Sequence, residues 1–529
     1  MNEPRRHPAG LPAVALALLI CTACEDTPAT SPVHPLIVIG VDGAEWTVIE
    51  DLWSRGRLPA LRYLHDHGVA THLETAYGKS PVIWTTIATG VTPDRHGVTD
   101  YVVRTPEGDV PITSTVRRVP ALWNMASRSG KRAAMLGWLV TWPAEAINGV
   151  IVSERPQAAD GVSPASETPR FKRILDAAGR APGRFALCDE VGVQDQAMAD
   201  AARRLAAEDF DILLVYFRSV DVICHHYWKY YQPEKFEAVP VEEIEAYRDR
   251  IPLAYEAVDA AIGRILEAGG SKVNYVVMSD HGFQAAPDDQ PQIHFDLSAL
   301  LEHLGYAARK RDNQWQVDLT RTRVFSLPDG MPSFRTTLPM RFALAGREAG
   351  GRVRPEQRAS IRAALEADLE RVTYAGGDPV FRVRSASGDE IRGGTDFVLE
   401  LQTARASRRL LVKGEPFDEA VLALHTVSGG HPAGKAGIFI ATGPDIDREA
   451  KMAGITIHDI APTLLFGMDL PAARDFDGKP WTRLFNARFR EAHPLRWIQS
   501  WGSRRAGPAR TAPDDDQLVE QLRSLGYIE

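Results

Sequence analysis

The chain is poor in cysteine. Its four cysteines among 529 residues are too few for a disulfide scaffold or a thiolate-rich metal site. Positive charge is not in excess either, because 61 Lys and Arg face 69 Asp and Glu and the formal net charge is −8. We therefore expect no nucleic-acid-binding surface. A composition of 44% apolar and 25% charged residues is that of a globular protein, not a fibrous or disordered one. A metal site here would be built from carboxylates and the 15 histidines.

The sequence has no long apolar run after Ile20, so we predict no membrane-spanning segment in the later part of the chain. The one early run, residues 11–20, follows two arginines and precedes small residues, which is typical of an export signal. Ala23 and Cys24 resemble a bacterial lipobox, although Cys21 stands where a leucine is usual. These features predict a signal over residues 1–23, followed by a flexible tether over residues 24–35.

The export signal predicts a location outside the cytoplasm. We expect a bacterial periplasmic or cell-envelope lipoprotein, held at the membrane only through a lipid on Cys24. Plain secretion and an uncleaved anchor are the alternatives. Cys188 and Cys224 would remain in the folded domain, and their spacing leaves open whether they pair.

Apolar runs alternate with helical patterns in the rest of the chain, which predicts an α/β fold. We expect a mostly parallel central sheet with helices on both faces. The runs predicted as buried strands are residues 36–42, 133–139, 211–217, 272–279 and 437–442, and the clearest helical patterns cover residues 194–208 and 253–268.

The domain organisation follows from a change in pattern. Residues 36–485 are predicted to form one catalytic domain, interrupted by a charge-rich, weakly periodic insertion over residues 285–425. We interpret the insertion as a small α+β lid subdomain and expect substrate specificity to lie in it and in the loops near Ser80. Residues 486–529 would form a C-terminal extension that ends in a short helix over residues 515–525.

Polar residues of a few types follow the predicted strands or begin helices. Each has an ordinary structural explanation by itself, as a cap, a turn residue or a local ion pair. Together, three carboxylates and three imidazoles could hold two divalent cations, an arrangement that clamps the attacking and leaving oxygens of a hydrolysed ester. Ser80, before Pro81 at a helix start, would place a hydroxyl where the helix dipole favours an anion. The candidate ligands are Asp42, Asp221, His225, Asp280, His281 and His431.

The order of these motifs resembles the alkaline phosphatase superfamily, and within it the type I phosphodiesterase/nucleotide pyrophosphatase family. The resemblance spans residues 36–485 and implies an alkaline-phosphatase-like core. The matching segments are residues 39–43, 80–97, 220–225, 279–282 and 430–431, with a closing motif at 459–465 and 477–478.

The resemblance implies a role for each matched position. Ser80 would be the nucleophile that forms a phospho-enzyme. One zinc ion would be held by Asp42, Ser80, Asp280 and His281, and a second by Asp221, His225 and His431; manganese remains an alternative.

Two departures from the family pattern are visible. Many members use threonine as the nucleophile, where this chain has Ser80. Nucleotide pyrophosphatases carry a phosphate-binding asparagine after the His-Gly pair, but residues 98–101 contain none. The absence leaves the preference between monoesters and diesters open.

The favoured hypothesis is an exported metal-dependent hydrolase of small phosphate esters, acting on phosphodiester or pyrophosphate bonds. The alternatives are a phosphotransferase acting on a lipid or glycan, a phosphomonoesterase, and an envelope binding protein with a vestigial metal site. Arg218 could contact a phosphate, although a structural ion pair is favoured. The oligomeric state is left open.

Overall fold

The computed structural model describes most of the chain after residue 31. The predicted signal with Cys21, and the part of the tether that contains Cys24, lie outside the described residues. The described ranges are 32–105, 108–178, 186–237, 239–286, 292–295, 297–310, 317–326, 337–374, 376–392, 394–402, 410–417, 421–425, 427–513, 515–524 and 527–528.

The strands, in chain order, are β1 (Leu36–Val41), β2 (Val69–Leu73), β3 (Val102–Thr105), β4 (Gly108–Pro111), β5 (Ala133–Leu136), β6 (Gly149–Val152), β7 (Val162–Ser163), β8 (Ile212–Phe217), β9 (Asn274–Met278), β10 (Gln284–Ala285), β11 (Gln292–Phe295), β12 (Val324–Ser326), β13 (Thr337–Phe342), β14 (Val372–Tyr374), β15 (Phe381–Ser385), β16 (Phe397–Leu401), β17 (Leu410–Val412), β18 (Glu415–Pro416), β19 (Val421–His425), β20 (Gly429–Gly430), β21 (Gly437–Thr442), β22 (Ala472–Ala473) and β23 (Trp497–Ile498).

The α-helices are α1 (Trp46–Ser54), α2 (Pro59–Asp66), α3 (Ser80–Thr89), α4 (Pro93–His96), α5 (Leu122–Arg128), α6 (Thr168–Ala178), α7 (Ala186–Leu205), α8 (Ser219–Tyr231), α9 (Val241–Tyr247), α10 (Arg250–Gly269), α11 (Leu297–His303), α12 (Arg358–Leu369), α13 (Gly388–Arg392), α14 (Ile460–Gly467), α15 (Ala487–Ala492) and α16 (Asp515–Ser524).

The central sheet has eight strands in the order β2-β21-β9-β1-β8-β5-β6-β7. Its five middle strands, from β9 to β6, run parallel to one another. All six residues of β1 are buried, as expected for a strand that is covered on both faces. The predicted α/β fold with a mostly parallel sheet is therefore confirmed.

Helices cover both faces of this sheet because alternate residues of each strand point to opposite sides. Ile37 and Ile39 of β1 belong to one buried apolar cluster, which includes residues of α1, α2, α7, α8 and α10. Leu36 and Val38 belong to a second cluster, with residues of α3, α5 and α14. The sheet separates these two cores.

The direction of β21 differs from the prediction. Residues 437–442 were expected to be one of the parallel strands, but β21 pairs antiparallel with both β9 and β2. The reason lies in the preceding segment. His431 lies near His281, at the end of the sheet where β9 finishes, so the chain must enter β21 from that end and run backwards.

Most of the inserted segment forms a separate unit with its own apolar core. The core is drawn from residues 297–417, and its members include Leu300, Leu365 and Leu399. Two small antiparallel sheets, β12-β13-β16-β15 and β14-β17-β18, surround it together with α11 and α12. An α+β unit is thus added to the catalytic core, as expected; its action as a lid stays a prediction.

The predicted terminal helix is present as α16. No helix in the described ranges combines the length and apolarity needed to cross a bilayer. Cys224 is a buried free thiol on α8.

Candidate active site

The site begins where two neighbouring parallel strands end. Asp42 directly follows β1, and Asp280 and His281 follow β9, which pairs with β1. The carboxyl ends of both strands meet at one edge of the sheet. As a result, His281 Nε2 lies 3.3 Å from Asp42 Oδ1 and 3.4 Å from Asp280 Oδ2.

Ser80 is the first residue of α3, and Pro81 follows it in the first turn, where a missing N–H costs nothing. Its side chain is buried against the strand-end residues. The hydroxyl donates a hydrogen bond to Asp42 Oδ1 at 3.4 Å and lies 3.2 Å from His281 Nε2. The predicted nucleophile therefore lies at a helix N-terminus, beside a carboxylate and an imidazole.

Asp221 and His225 lie on one face of α8, as their spacing predicts. His225 Nε2 is 3.5 Å from Asp221 Oδ1. The other ring nitrogen, Nδ1, lies 3.0 Å from the carbonyl oxygen of Gly429. Donation from Nδ1 to this carbonyl would leave Nε2 free to face the site, an arrangement common among metal-binding histidines.

His431, just after β20, completes the group. Its ring stacks on that of His281 with 3.6 Å between the ring centroids and an interplanar angle of 13°. Its Nε2 lies 3.8 Å from Asp221 Oδ1. All seven residues selected from the sequence thus lie together, although they are separated by up to 389 positions (431 − 42) along the chain.

Two sets of three side chains place one ligand atom each within 4.8 Å of the others: Asp42, Asp280 and His281, and Asp221, His281 and His431. His281 belongs to both sets, whereas the family resemblance assigns it only to the first. His281 can belong to both sets because its Nε2 atom lies close to a carboxylate of each, 3.3 Å from Asp42 Oδ1 and 3.9 Å from Asp221 Oδ1.

Several buried polar atoms of this group make no hydrogen bond. Such atoms are costly in a protein interior, where nearly all buried polar groups find a partner. Bound cations would satisfy them, so the donor set fits a metal site. The atoms are Asp221 Oδ1, His225 Nε2, Asp280 Oδ2, and both ring nitrogens of His431.

The electrostatics agree with this fit. Burial and the charge of Asp42 raise the pKa of Asp280 far above its ordinary value, and burial and the charge of Asp221 raise the pKa of Asp42. For Asp221, burial acts to raise the pKa, but the imidazoles of His225, His431 and His281 together outweigh it and the pKa is lowered. Burial also lowers the pKa of His431, which keeps its ring neutral. Three carboxylates packed this closely without cations would repel one another.

Arg218 departs from its favoured interpretation as half of a structural ion pair. Its backbone N–H donates to Asp195 Oδ1 at 3.0 Å. Within the described part of the chain, its guanidinium makes no ion pair or hydrogen bond, and it lines a pocket that also contacts Ser80. The Arg218 guanidinium is therefore a candidate to contact a phosphate bound in the pocket that Ser80 lines.

Three tyrosines at the site were not selected from the sequence. The hydroxyl of Tyr101 accepts a hydrogen bond from the backbone N–H of Ser80 at 3.2 Å and donates to Ser80 Oγ at 3.3 Å. Tyr216 donates to Asp42 Oδ2, and Tyr527 donates to Asp221 Oδ2. Only Tyr101 had a local signal, because it lies in the segment where the family's asparagine was sought.

Comparison with known proteins identifies one matching family model, described as type I phosphodiesterase / nucleotide pyrophosphatase, over residues 36–401. Phosphonoacetate hydrolase from Sinorhizobium meliloti, in complex with phosphonoformate, is similar at 17% identity and a TM-score of 0.43, covering 83% of this chain and 95% of that one. Murine ectonucleotide pyrophosphatase / phosphodiesterase 5, an inactive form in complex with AMP, is similar at 14% identity and a TM-score of 0.40, covering 86% and 100%. No curated protein matches the chain.

Proposed function

The chain belongs to the type I phosphodiesterase/nucleotide pyrophosphatase family and is therefore a phosphoester hydrolase, and from this premise we propose that it cleaves phosphodiesters through a covalent intermediate on Ser80. The observation that carries the proposal is the position of the Ser80 hydroxyl, which lies 3.4 Å from Asp42 Oδ1 and 3.2 Å from His281 Nε2 in one buried cluster.

The residues present would hold two divalent cations, with Asp42, Ser80, Asp280 and His281 around one and Asp221, His225 and His431 around the other. Mixed carboxylate and imidazole ligands favour zinc, and manganese is compatible with the same set. When bound, these ions supply Lewis acidity that stabilises the charge developing on phosphate oxygens and lowers the pKa of a nearby hydroxyl.

The chain's own residues carry the rest of the mechanism. Ser80 Oγ attacks phosphorus as its proton leaves along the hydrogen bond toward Asp42 Oδ1, and the bond to the leaving alcohol breaks. The N-terminus of α3 favours the anionic oxygen that forms there. Water then hydrolyses the serine ester, releasing a phosphate monoester and restoring the hydroxyl.

We also propose that the protein is exported and is attached to the membrane by a lipid on Cys24. The support is the pattern of residues 1–24 alone: a basic start, a short apolar run and small residues before a cysteine. Metabolic labelling with a palmitate analogue should mark the wild-type protein and not the Cys24→Ser variant.

A panel of esters with a common leaving group tests the reaction class. On the zinc-loaded protein, we expect kcat/KM for bis-p-nitrophenyl phosphate to exceed that for p-nitrophenyl phosphate by about tenfold or more. The reason is space: Ser80 and Arg218 line a pocket whose surface is mostly apolar, and that pocket can take the second ester group of a diester, which a monoester lacks.

Other outcomes of this panel have defined meanings. Faster turnover of the monoester would make the protein a phosphomonoesterase and overturn the diester assignment. Faster cleavage of p-nitrophenyl sulfate would place it outside phosphate chemistry. An added alcohol that captures most of the product would indicate a phosphotransferase.

Substitution of Arg218 tests its role as a phosphate-binding residue. We expect Arg218→Met to lower kcat/KM for the diester by about 10- to 100-fold, because a hydrogen bond to a charged partner contributes about 1.5–3 kcal/mol. Arg218→Lys should recover part of this loss, since it keeps the charge and not the planar fork.

Inhibition by inorganic phosphate is measured as well. We expect its inhibition constant to be lowest for the wild type, higher for Arg218→Lys and highest for Arg218→Met. The matched control is Arg382→Met, at an exposed position on β15. Metal content should be unchanged in all three variants. If Arg218→Met binds phosphate as tightly as the wild type, the guanidinium has no part in substrate binding.

A further inference from the structure

The C-terminal extension runs across the surface to the active site. The backbone N–H of Arg504 donates to the carbonyl oxygen of Arg118 at 2.7 Å, and that of Gly507 donates to the carbonyl oxygen of Thr115 at 2.9 Å. These contacts bring α16 alongside the loops that flank Ser80.

Two kinds of contact hold α16 in place. Asp515 at its start accepts a hydrogen bond from Arg155 at 2.7 Å, and both side chains are largely buried. Val519 and Leu522 pack in an apolar cluster with Tyr101 and Val102. A buried ion pair and an apolar contact fix the helix against the catalytic domain.

Tyr527, just beyond α16, reaches the candidate metal ligands. Its ring stacks on Tyr101 with 4.4 Å between centroids and an angle of 6°, and its hydroxyl donates to Asp221 Oδ2. Its backbone N–H is held by the carbonyl oxygen of Leu522 at 3.0 Å. The extension is thus part of the active site, although it lies beyond the residues that match the family model.

A pocket opens between α16 and the catalytic domain. Ser80 and Asp42 lie at one end of it. Its lining is mostly apolar and includes Leu518 and Leu522 of α16 and Leu139, Val140 and Met198 of the rest of the chain, together with the polar side chains of Ser153, Arg155 and Gln194. Among the described residues, no side chain of the inserted unit lines this pocket, although the sequence pointed to that insertion for specificity.

The carboxylates in the wall are already bonded within the protein. Glu154 accepts hydrogen bonds from the N–H and the hydroxyl of Thr141 at 3.0 and 2.7 Å, and Asp195 accepts from the N–H groups of Arg218 and Ser219 at 3.0 and 2.8 Å. Oε2 of Glu154 and both carboxyl oxygens of Asp195 thus already accept hydrogen bonds, which reduces what these side chains can offer to the hydroxyls of a sugar. What the wall offers to a ligand is mainly apolar surface.

We infer that this pocket binds the organic group of the substrate and selects phosphate esters of apolar alcohols over nucleotides. The inference rests on the proposed function, because it assumes that the phosphate lies at Ser80. Each methylene group buried in such a pocket strengthens binding by up to about fourfold. A ribose there would lose its hydrogen bonds to water and meet few polar groups to replace them.

Calorimetric titration with alkylphosphonates tests this inference without requiring turnover. Methyl-, butyl- and octylphosphonate have the same charged head and differ only in apolar length. On the full-length, zinc-loaded protein we expect the dissociation constant to fall about tenfold or more from methyl to butyl. AMP should bind about tenfold more weakly than butylphosphonate.

Variants on opposite walls locate the effect. Leu522→Asn on α16 and Met198→Gln on α7 should each reduce the methyl-to-butyl ratio at least threefold. Asp516→Asn, on the exposed side of α16, is the matched control and should keep the ratio. Circular dichroism and metal content verify that each variant is folded and loaded.

A dissociation constant that is the same for all three phosphonates, or tighter binding of AMP than of butylphosphonate, would overturn the inference. Deletion of residues 515–529 should also bring the ratio of the methyl- and butylphosphonate dissociation constants close to one. If that deletion instead strengthens binding of all three ligands equally, α16 obstructs the site and does not select substrates. Failure of the proposed function would be seen separately, as absence of ester hydrolysis in the wild type.

Discussion

Replacing Ser80 with alanine is expected to lower kcat for bis-p-nitrophenyl phosphate by about 10³-fold or more, because the variant has no atom to form the covalent intermediate. Two of the three threonines of α3, Thr86 and Thr89, are not available for this role. Thr86 Oγ1 donates to the carbonyl oxygen of Val82 at 2.9 Å, and Thr89 Oγ1 donates to that of Thr85 at 2.7 Å. Both hydroxyls are engaged within the helix, away from the strand-end carboxylates.

Ser80→Thr is the matched control for this prediction. It retains a hydroxyl at the same position, so it should keep a much larger share of the wild-type turnover than Ser80→Ala does. Rapid quenching of the wild type at acidic pH during turnover of bis-p-nitrophenyl phosphate, followed by peptide mass spectrometry, should find a p-nitrophenyl phosphoryl group on Ser80. Undiminished turnover by Ser80→Ala would remove Ser80 from the mechanism, whatever the class of substrate.

Removal of divalent cations by a chelator is expected to reduce turnover by about 10³-fold, equivalent to several kcal/mol of transition-state stabilisation. The same treatment should lower the stability of the fold. Cations present at 100 to 1,000 times their dissociation constant stabilise a protein by about 3–4 kcal/mol, so we expect Tm to fall by several degrees. Added zinc should restore both properties.

The Asp280→Asn variant separates metal binding from packing. Asn has the size of Asp and can still accept from the N–H of Gly43, which donates to Asp280 Oδ1 at 3.4 Å. It removes one of three buried negative charges. We therefore expect the metal-free variant to be at least as stable as the metal-free wild type, while the zinc-loaded variant is less stable than the loaded wild type. Equal destabilisation in both states would mean that the residue acts through packing alone.

The positions of the candidate ligands were predictable because each depends on local sequence. An apolar run followed by Asp42 indicates a buried strand with a polar residue at its end, and a spacing of four places Asp221 and His225 on one helix face. The convergence of strand ends at one sheet edge is a general property of parallel sheets. These rules, with the order of the family's motifs, were sufficient to select all seven residues.

The direction of β21 was not predictable from its composition. A buried strand reads as an apolar run whether its neighbours are parallel or antiparallel to it. What decided the direction was the position of His431 near His281, and a contact between residues 150 positions apart (431 − 281) has no local signal.

By itself, the sequence determined the class of fold and the family, and it selected the candidate ligands and the candidate nucleophile, because periodicity, spacing and motif order are local properties of the chain. Only the tertiary structure decided what surrounds that chemistry. Among the described residues, it left the Arg218 guanidinium without an ion pair, and it brought Tyr101 onto Ser80 and Tyr527 onto Asp221. It also placed α16 at the pocket that Ser80 lines. Such contacts depend on how distant segments pack, and packing is decided by the whole chain rather than by any short stretch of it.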